Sequence, residues 1–226
     1  MEIKYSKIHK YNIGYTNKQE FDILKDEIFN KEIYKVELHT DSPVIFDLGS
    51  HIGLSILYFK MNYPNAKILG FEPNPNIFPL LEENIYCNDI QEIELHNIAL
   101  GNTEGIREFH IDNQYDAFST AGFKPNAWNG KQSTTPISVK TEKLSKYINT
   151  PIDLMKMDIE GAEKEVLTEL ESENKLKYIR NIIIESHGTN ITDILTRNSF
   201  EIEEKPDKDD KNLVYILGKN ISKESI

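Results

Sequence analysis

The run Val44-Ile45-Phe46-Asp47-Leu48, followed at once by Gly49-Ser50-His51-Ile52-Gly53 and the helical spacing of Leu54 to Tyr63, constrains this chain more than any other feature. A strand without polar alternation is covered on both faces, as in a parallel sheet flanked by helices. Glycines between such a strand and a helix let the backbone approach a ligand closely. The free N–H groups at the helix start favour a negative group. The same strand–helix order recurs downstream. Lys67 to Phe71 reads as a second strand, Pro73 and Pro75 as a loop, Ile77 to Cys87 as a helix, and Ile93 to Ile98 as a third strand ended by Gly101 and Asn102.

Thr103 to Thr150 breaks that order. Ile106 to Ile111 and Ile137 to Val139 read as strands. Asp112 to Pro136 between them is polar but holds Tyr115, Phe118, Phe123 and Trp128, the composition of a partly ordered lid or a binding loop. The rhythm resumes with a fourth strand at Leu154 to Met157, a helix at Ala162 to Leu170 and a strand at Ile179 to Glu185. Thr189 is placed to cap a helix at Asn190 to Arg197. Strands at Phe200 to Glu203 and Leu213 to Leu217 follow, joined by an exposed loop at Lys205 to Lys211. Ahead of all this, one helix is predicted at Lys18 to Phe29, with Phe21, Ile23, Leu24 and Ile28 on one side and Tyr5, Tyr11, Tyr15 and Tyr34 scattered around it. The expected organisation is a cap segment, 1–43, on the sheet edge or over a ligand mouth, and an α/β domain, 44–226, carrying an insertion at 103–150.

Composition narrows the function. At 226 residues one α/β domain with modest decoration is expected. Lys+Arg 26 against Asp+Glu 37, a net −11, opposes phosphate backbones, so no nucleic-acid partner is expected. No apolar run approaches ~20 residues, so no membrane span is expected. Met1 to Lys10 has no apolar core of a secretory signal, which points to the cytoplasm. The single cysteine, Cys87, excludes an intramolecular disulfide framework or a zinc ribbon.

The glycine spacing is Gly-x-x-x-Gly. A dinucleotide site wants Gly-x-Gly-x-x-Gly, which counts against a dehydrogenase, and no P-loop is present. Glu72, in Gly70-Phe71-Glu72-Pro73, stands about 20 residues past the glycine turn, where a carboxylate accepts hydrogen bonds from ribose hydroxyls. The block Lys156-Met157-Asp158-Ile159-Glu160-Gly161-Ala162-Glu163 closes the fourth strand. Ligands in open α/β sheets bind at the carboxyl ends of strands, so Asp158 is expected to face the crevice. Glu160 and Glu163 are expected to open the next helix, where negative charge is favoured. Ile184-Glu185-Ser186-His187 ends the following strand, and a histidine there is a candidate general base.

These blocks, together with Asn97-Ile98-Ala99-Leu100-Gly101, resemble the FkbM-type S-adenosylmethionine-dependent methyltransferases over roughly Val44 to His187. The resemblance implies the class I methyltransferase (Rossmann-like) fold, a seven-stranded sheet with an antiparallel last strand, and S-adenosyl-L-methionine as cofactor. It implies cofactor contacts from Asp47, Gly49, Ser50, His51, Gly53, Ser55, Glu72, Pro73, Ala99, Leu100 and Asp158. In that reading Asp47 lies near the amino group, the glycine loop along the methionine part, Glu72 at the ribose and Ala99 beside the adenine. The family commonly has asparagine where this chain has His51, which leaves that residue to keep a polar contact or to reach the substrate. Phe118-Ser119-Thr120 is similar to a serine-rich stretch that the family carries before its substrate loop.

The activity so implied is O-methylation of a hydroxyl on a sugar or secondary metabolite. His187 or Asp158 would be the base and Lys156 an orienting charge. A peptide or protein methyltransferase, or a non-catalytic nucleoside-binding module, are the alternatives. Asp158, Glu185 and His187 offer ligands for Mg²⁺, but no metal is expected, and the oligomeric state stays open.

Overall fold

The computed structural model describes residues 2–112, 122–123, 134–187, 190–207 and 213–223. Tyr115, Phe118, Ser119, Thr120, Trp128 and Thr189 lie outside them, as does the side chain of His187. The chain opens with a hairpin of β1 (Lys4–Ile8) and β2 (Tyr11–Tyr15) and a helix, α1 (Lys18–Lys25), that runs on into a π-helical turn, Asp26–Asn30. Then follow β3 (Val44–Leu48), α2 (Leu54–Asn62), β4 (Lys67–Phe71), α3 (Phe78–Tyr86) and β5 (Ile93–His96). The short β6 (Ala99–Leu100), β7 (Gly105–Asp112) and β8 (Thr134–Glu142) come next. The chain ends with β9 (Ile152–Met157), α4 (Glu163–Ser172), β10 (Ile179–His187), α5 (Thr192–Arg197), β11 (Phe200–Pro206) and β12 (Leu213–Asn220).

Seven strands form the central sheet in the order β11-β12-β10-β9-β3-β4-β5. β12 pairs antiparallel with both neighbours, and the other six strands run parallel to one another. This is the expected class I methyltransferase sheet. The alternation within each strand explains why no polar period shows in the sequence. Ile45, Leu154 and Ile183 face one core, shared with Leu57 and Phe59 of α2, while Phe46, Met155 and Ile184 face a second, shared with Val166 and Leu167 of α4. Each such side chain contributes ~1.5–3 kcal/mol by leaving water, so both faces of every central strand are selected for apolar residues.

Two local features depart from the sequence reading. The third strand ends at His96 rather than Ile98, because Ala99 and Leu100 peel away to pair with Thr141 and Glu142 in a separate sheet of order β6-β8-β7. The N-terminal hairpin was not foreseen. It packs on α3, where Asn84 Oδ1 accepts the Gly14 N–H at 2.7 Å and Asn84 Nδ2 donates to Gly14 and Ile52 carbonyls. The helix expected at Lys18 to Phe29 is α1 plus its π-turn, capped by Asn17, whose side chain accepts from the Gln19 and Glu20 N–H groups. Among the described residues no helix is long and apolar enough to cross a membrane.

The seam between β3 and β9 depends on Gly49. Its φ is +83°, and a Cβ there would stand 1.8 Å from the Asp158 carbonyl oxygen. Gly161 has a similar φ of +93° with open space around it. Gly161→Ala should therefore cost only the backbone strain, ~1–2 kcal/mol. Gly49→Ala should cost clearly more, since strands must also separate, and urea denaturation of the two variants checks that order.

Candidate functional site

β3, β4 and β9 end side by side, and their loops form one pocket. Gly49 and Ser50 both donate backbone N–H groups to the Phe71 carbonyl at 2.9 Å, which turns the glycine loop against β4. Asp158 N–H donates to the Leu48 carbonyl at 3.0 Å, which holds the β9 loop on the other flank. The space between these loops is about 620 Å³, open solvent at its mouth included. Gly49, His51, Glu72, Pro73, Ala99, Leu100 and Asp158 all line it. Ile98, next to Ala99, and Phe123, from the loop read in the sequence as a lid or binding loop, add apolar walls, as does Phe109, which the sequence had placed only in a strand.

Glu72 is buried at the pocket rim, and its two oxygens are aimed by the backbone. Oε2 accepts the His51 N–H at 2.9 Å and Oε1 the Asn74 N–H at 2.8 Å. Asn97 Nδ2 donates to the Glu72 carbonyl at 2.8 Å, which fixes the strand end. Burial pushes the Glu72 carboxyl up, against the pull of His51 and the two backbone bonds. A carboxylate oxygen accepts two bonds, so each still has a lone pair for a vicinal diol.

Below the glycine loop lies a buried ionic group. Lys156 is 2% exposed and Asp47 fully buried. Lys156 Nζ donates to the Gly49 carbonyl at 2.7 Å and lies 3.5 Å from Asp47 Oδ1 and 3.6 Å from Asp158 Oδ2. Burial works against its charge, but Asp47, Asp158 and Glu185 outweigh it and hold the ammonium above the usual lysine range. Burial raises the Asp47 carboxyl, opposed by Lys156 and by the Ser55 hydroxyl, which donates to Asp47 Oδ2 at 2.7 Å. Ser50 Oγ donates to the Asp47 carbonyl at 3.0 Å. These bonds place Ser50 and Ser55 beneath the loop.

A second, smaller cavity opens there, lined by Ser50, Leu54, Ser55, Lys156 and Tyr34, and it shares Gly49, His51 and Asp158 with the first. Gly53 lines neither cavity; it begins α2 at φ +91°, and a Cβ would meet Leu81 at 2.9 Å. Glu163 opens α4 as its sequence position suggests, but it is fully buried and accepts the Gly161 N–H at 2.8 Å. Glu160 sits in the loop before the helix, at φ +54°, and lines the first pocket. Strained backbone at His51 (φ +46°) and Glu160 thus flanks the same pocket, as is common at ligand sites. His187 ends β10 beside the Asp158 loop, with its backbone opposite Leu213. Among the described residues no three His, Cys, Asp or Glu side chains are grouped as a metal site.

The family model of the FkbM methyltransferase domain matches residues 47–207. The chain belongs to that family. It is 29% identical to Methyltransferase 1 of Beauveria bassiana over 185 residues, 74% of each chain. It is 24% identical over 207 residues to the 31-O-demethyl-FK506 methyltransferase FkbM of Streptomyces tacrolimicus, 77% of this chain and 78% of that one. Its fold is similar to a solved FkbM methyltransferase of Methylobacillus flagellatus, with a TM-score of 0.54 and 15% identity, covering 79% of this chain and 44% of that chain. The FkbM-family domain is an S-adenosylmethionine-dependent methyltransferase. Its pocket fits the cofactor by its own features: a side-chain-free cradle at Gly49, a preset carboxylate at Glu72, an apolar wall at Ala99 and Leu100, and the buried Asp47 Oδ1, which has no hydrogen-bond donor.

Two outcomes follow. Glu72→Gln should weaken S-adenosylhomocysteine binding by ~1.5–3 kcal/mol, the contribution of hydrogen bonds to a charged acceptor, as read by calorimetry. Lys156→Met should lower folding stability by ~3–5 kcal/mol, because it strands a buried carboxylate. The double variant Asp47→Asn/Lys156→Met should regain part of that loss in urea denaturation.

Proposed function

We propose that this chain moves the methyl group of S-adenosylmethionine to a hydroxyl oxygen of a small molecule, such as a sugar or a secondary metabolite. The carrying observation is Asp158. Its carboxylate stands where the two cavities meet, part-exposed, with Lys156 Nζ 3.6 Å away. The cofactor, when bound, supplies an electrophilic methyl on a sulfonium. Methyl transfer to a neutral amine needs no base in the transition state, whereas a hydroxyl acceptor gains from one. Asp158 is the base in this reading and accepts the acceptor's proton. Lys156 keeps the carboxylate oriented and is itself too buried to reach an acceptor. Glu72, fixed by two backbone N–H groups, would hold the ribose of the nucleoside. Such alignment supplies ~7–11 kcal/mol of a barrier, and a positioned base ~10²–10⁴-fold in rate. The relative whose substrate is named as a 31-O-demethyl compound supports oxygen as the acceptor atom.

The alternative base is His187, at the end of the neighbouring strand. Asp158→Asn should lower turnover by ~10²–10⁴-fold, measured at saturating S-adenosylmethionine. His187→Ala should change turnover far less. A methyl-labelled donor incubated with metabolite and peptide pools should label a small molecule, with the methyl carbon's chemical shift that of an ether. Label in peptides would instead support a peptide or protein acceptor.

A further inference from the structure

Tyr34 belongs to the segment between α1 and β3 and has no place in the reaction described above. It is 4% exposed, with its ring packed 6.2 Å from Phe59 of α2 and 5.4 Å from Lys156 Nζ. It lines the smaller cavity together with Gly49, Ser50 and His51 of the glycine loop. Among the described residues its hydroxyl has no hydrogen-bond partner. A phenol O–H at a cavity wall can donate to a ligand or a water held there.

The rest of that cavity presents both signs of charge. Asp158 and the Lys156 ammonium paired with it line the cavity, and the buried Asp47 lies behind the Ser55 hydroxyl. The start of α2, a nine-residue helix that begins at Gly53 with no side-chain cap, lies at the same cavity. Leu54 and Ser55 line the cavity there, and the first-turn N–H groups of a helix are donors that attract a carboxylate. A carboxylate, helix-start N–H groups and a phenol at one cavity are complementary to a zwitterion, a ligand end that carries both an ammonium and a carboxylate. Because this cavity joins the nucleoside pocket at Gly49, His51 and Asp158, one ligand spans both.

We propose that Tyr34 closes the amino-acid end of the cofactor site, its hydroxyl donating to the cofactor's carboxylate beside the first turn of α2, so that the N-terminal segment selects a nucleoside bearing an amino-acid tail. The inference rests on reading the larger pocket as the nucleoside site for S-adenosylmethionine. Tyr34 is suited to a donor role: burial first, then Asp158, Glu185 and Asp47, keep the phenol protonated far above its ordinary range. The Glu20 carboxylate of α1, 3.7 Å from His51 Nε2, fastens the same segment to the glycine loop and keeps Tyr34 over the cavity.

The test is calorimetric and needs no methyl acceptor. S-adenosylhomocysteine carries the amino-acid tail, and 5′-methylthioadenosine lacks it. Tyr34→Phe keeps the ring against Phe59 and removes only the hydroxyl. It should weaken S-adenosylhomocysteine by roughly tenfold or more, the effect of one hydrogen bond to a charged group, and leave methylthioadenosine within about twofold. Unchanged S-adenosylhomocysteine affinity, or equal weakening of both ligands, would overturn the inference while leaving the methyl-donor reading standing. A parent protein that binds neither ligand would overturn both.

Discussion

One buried ammonium organises this site. Lys156 sits beneath the glycine loop, where its Nζ reaches the carbonyls of Leu48 and Gly49 and the carboxylates of Asp47 and Asp158. Taking an ion from water costs several kcal/mol even in a polar interior. The cost is offset here because β3 and β9 both end at this point, so backbone carbonyls and two acids converge on one cation. Without it two carboxylates would face each other across the seam. The ammonium thus sets the distance between Asp47, at the root of the glycine loop, and Asp158, at the mouth of the pocket. Gly49 completes the arrangement, since the Asp158 carbonyl passes through the space that any side chain would occupy.

From this point the geometry spreads along the strand ends. The glycine loop is pinned to β4 through two N–H bonds to Phe71, and its next N–H, from His51, aims Glu72. Glu72 is therefore positioned by the glycine turn, so the rim carboxylate and the loop cannot shift independently. Pre-orientation of this kind lowers the ordering cost of binding. It also explains why a carboxylate with a burial-raised pKa is retained at the rim: the backbone donors are in place before a ligand arrives.

The seven-stranded sheet was legible because its strands are apolar on both faces and its turns carry glycine and proline. The blocks ending at Gly53, Glu72 and Asp158 were legible for a related reason, as residues at carboxyl strand ends can only face the crevice. The N-terminal hairpin was not. Lys4-Tyr5-Ser6-Lys7-Ile8 buries little beyond Ile8, and its turn at His9-Lys10 lacks glycine or asparagine, with His9 at φ +52°. Its stability comes from Asn84 and Asn88 of the α3 region, a contact across about 70 residues that no local pattern encodes. Tyr34 was one of several scattered tyrosines for the same reason. Glu20 did carry a signal, since it shares a helix face with Leu24 and Ile28, and a carboxylate on an apolar face asks for a buried partner. Ile98, Phe109 and Phe123 became part of the site only when β6 left the third strand's line and joined β7 and β8.

The departure from the family at His51 now has a physical account. The backbone there is left-handed, at φ +46°, a conformation that asparagine tolerates better than most residues and histidine is also enriched in. The backbone duty of the position, donating to Glu72, is independent of the side chain, so the change is free to act elsewhere. The longer imidazole extends away from Glu72 to the buried Glu20 on α1. The His51 side chain thereby links the loop to the N-terminal segment. The segment that brings Tyr34 to the smaller cavity is tied to the same turn that aims Glu72, so the two cavities are coupled through one five-residue stretch, Gly49 to Gly53.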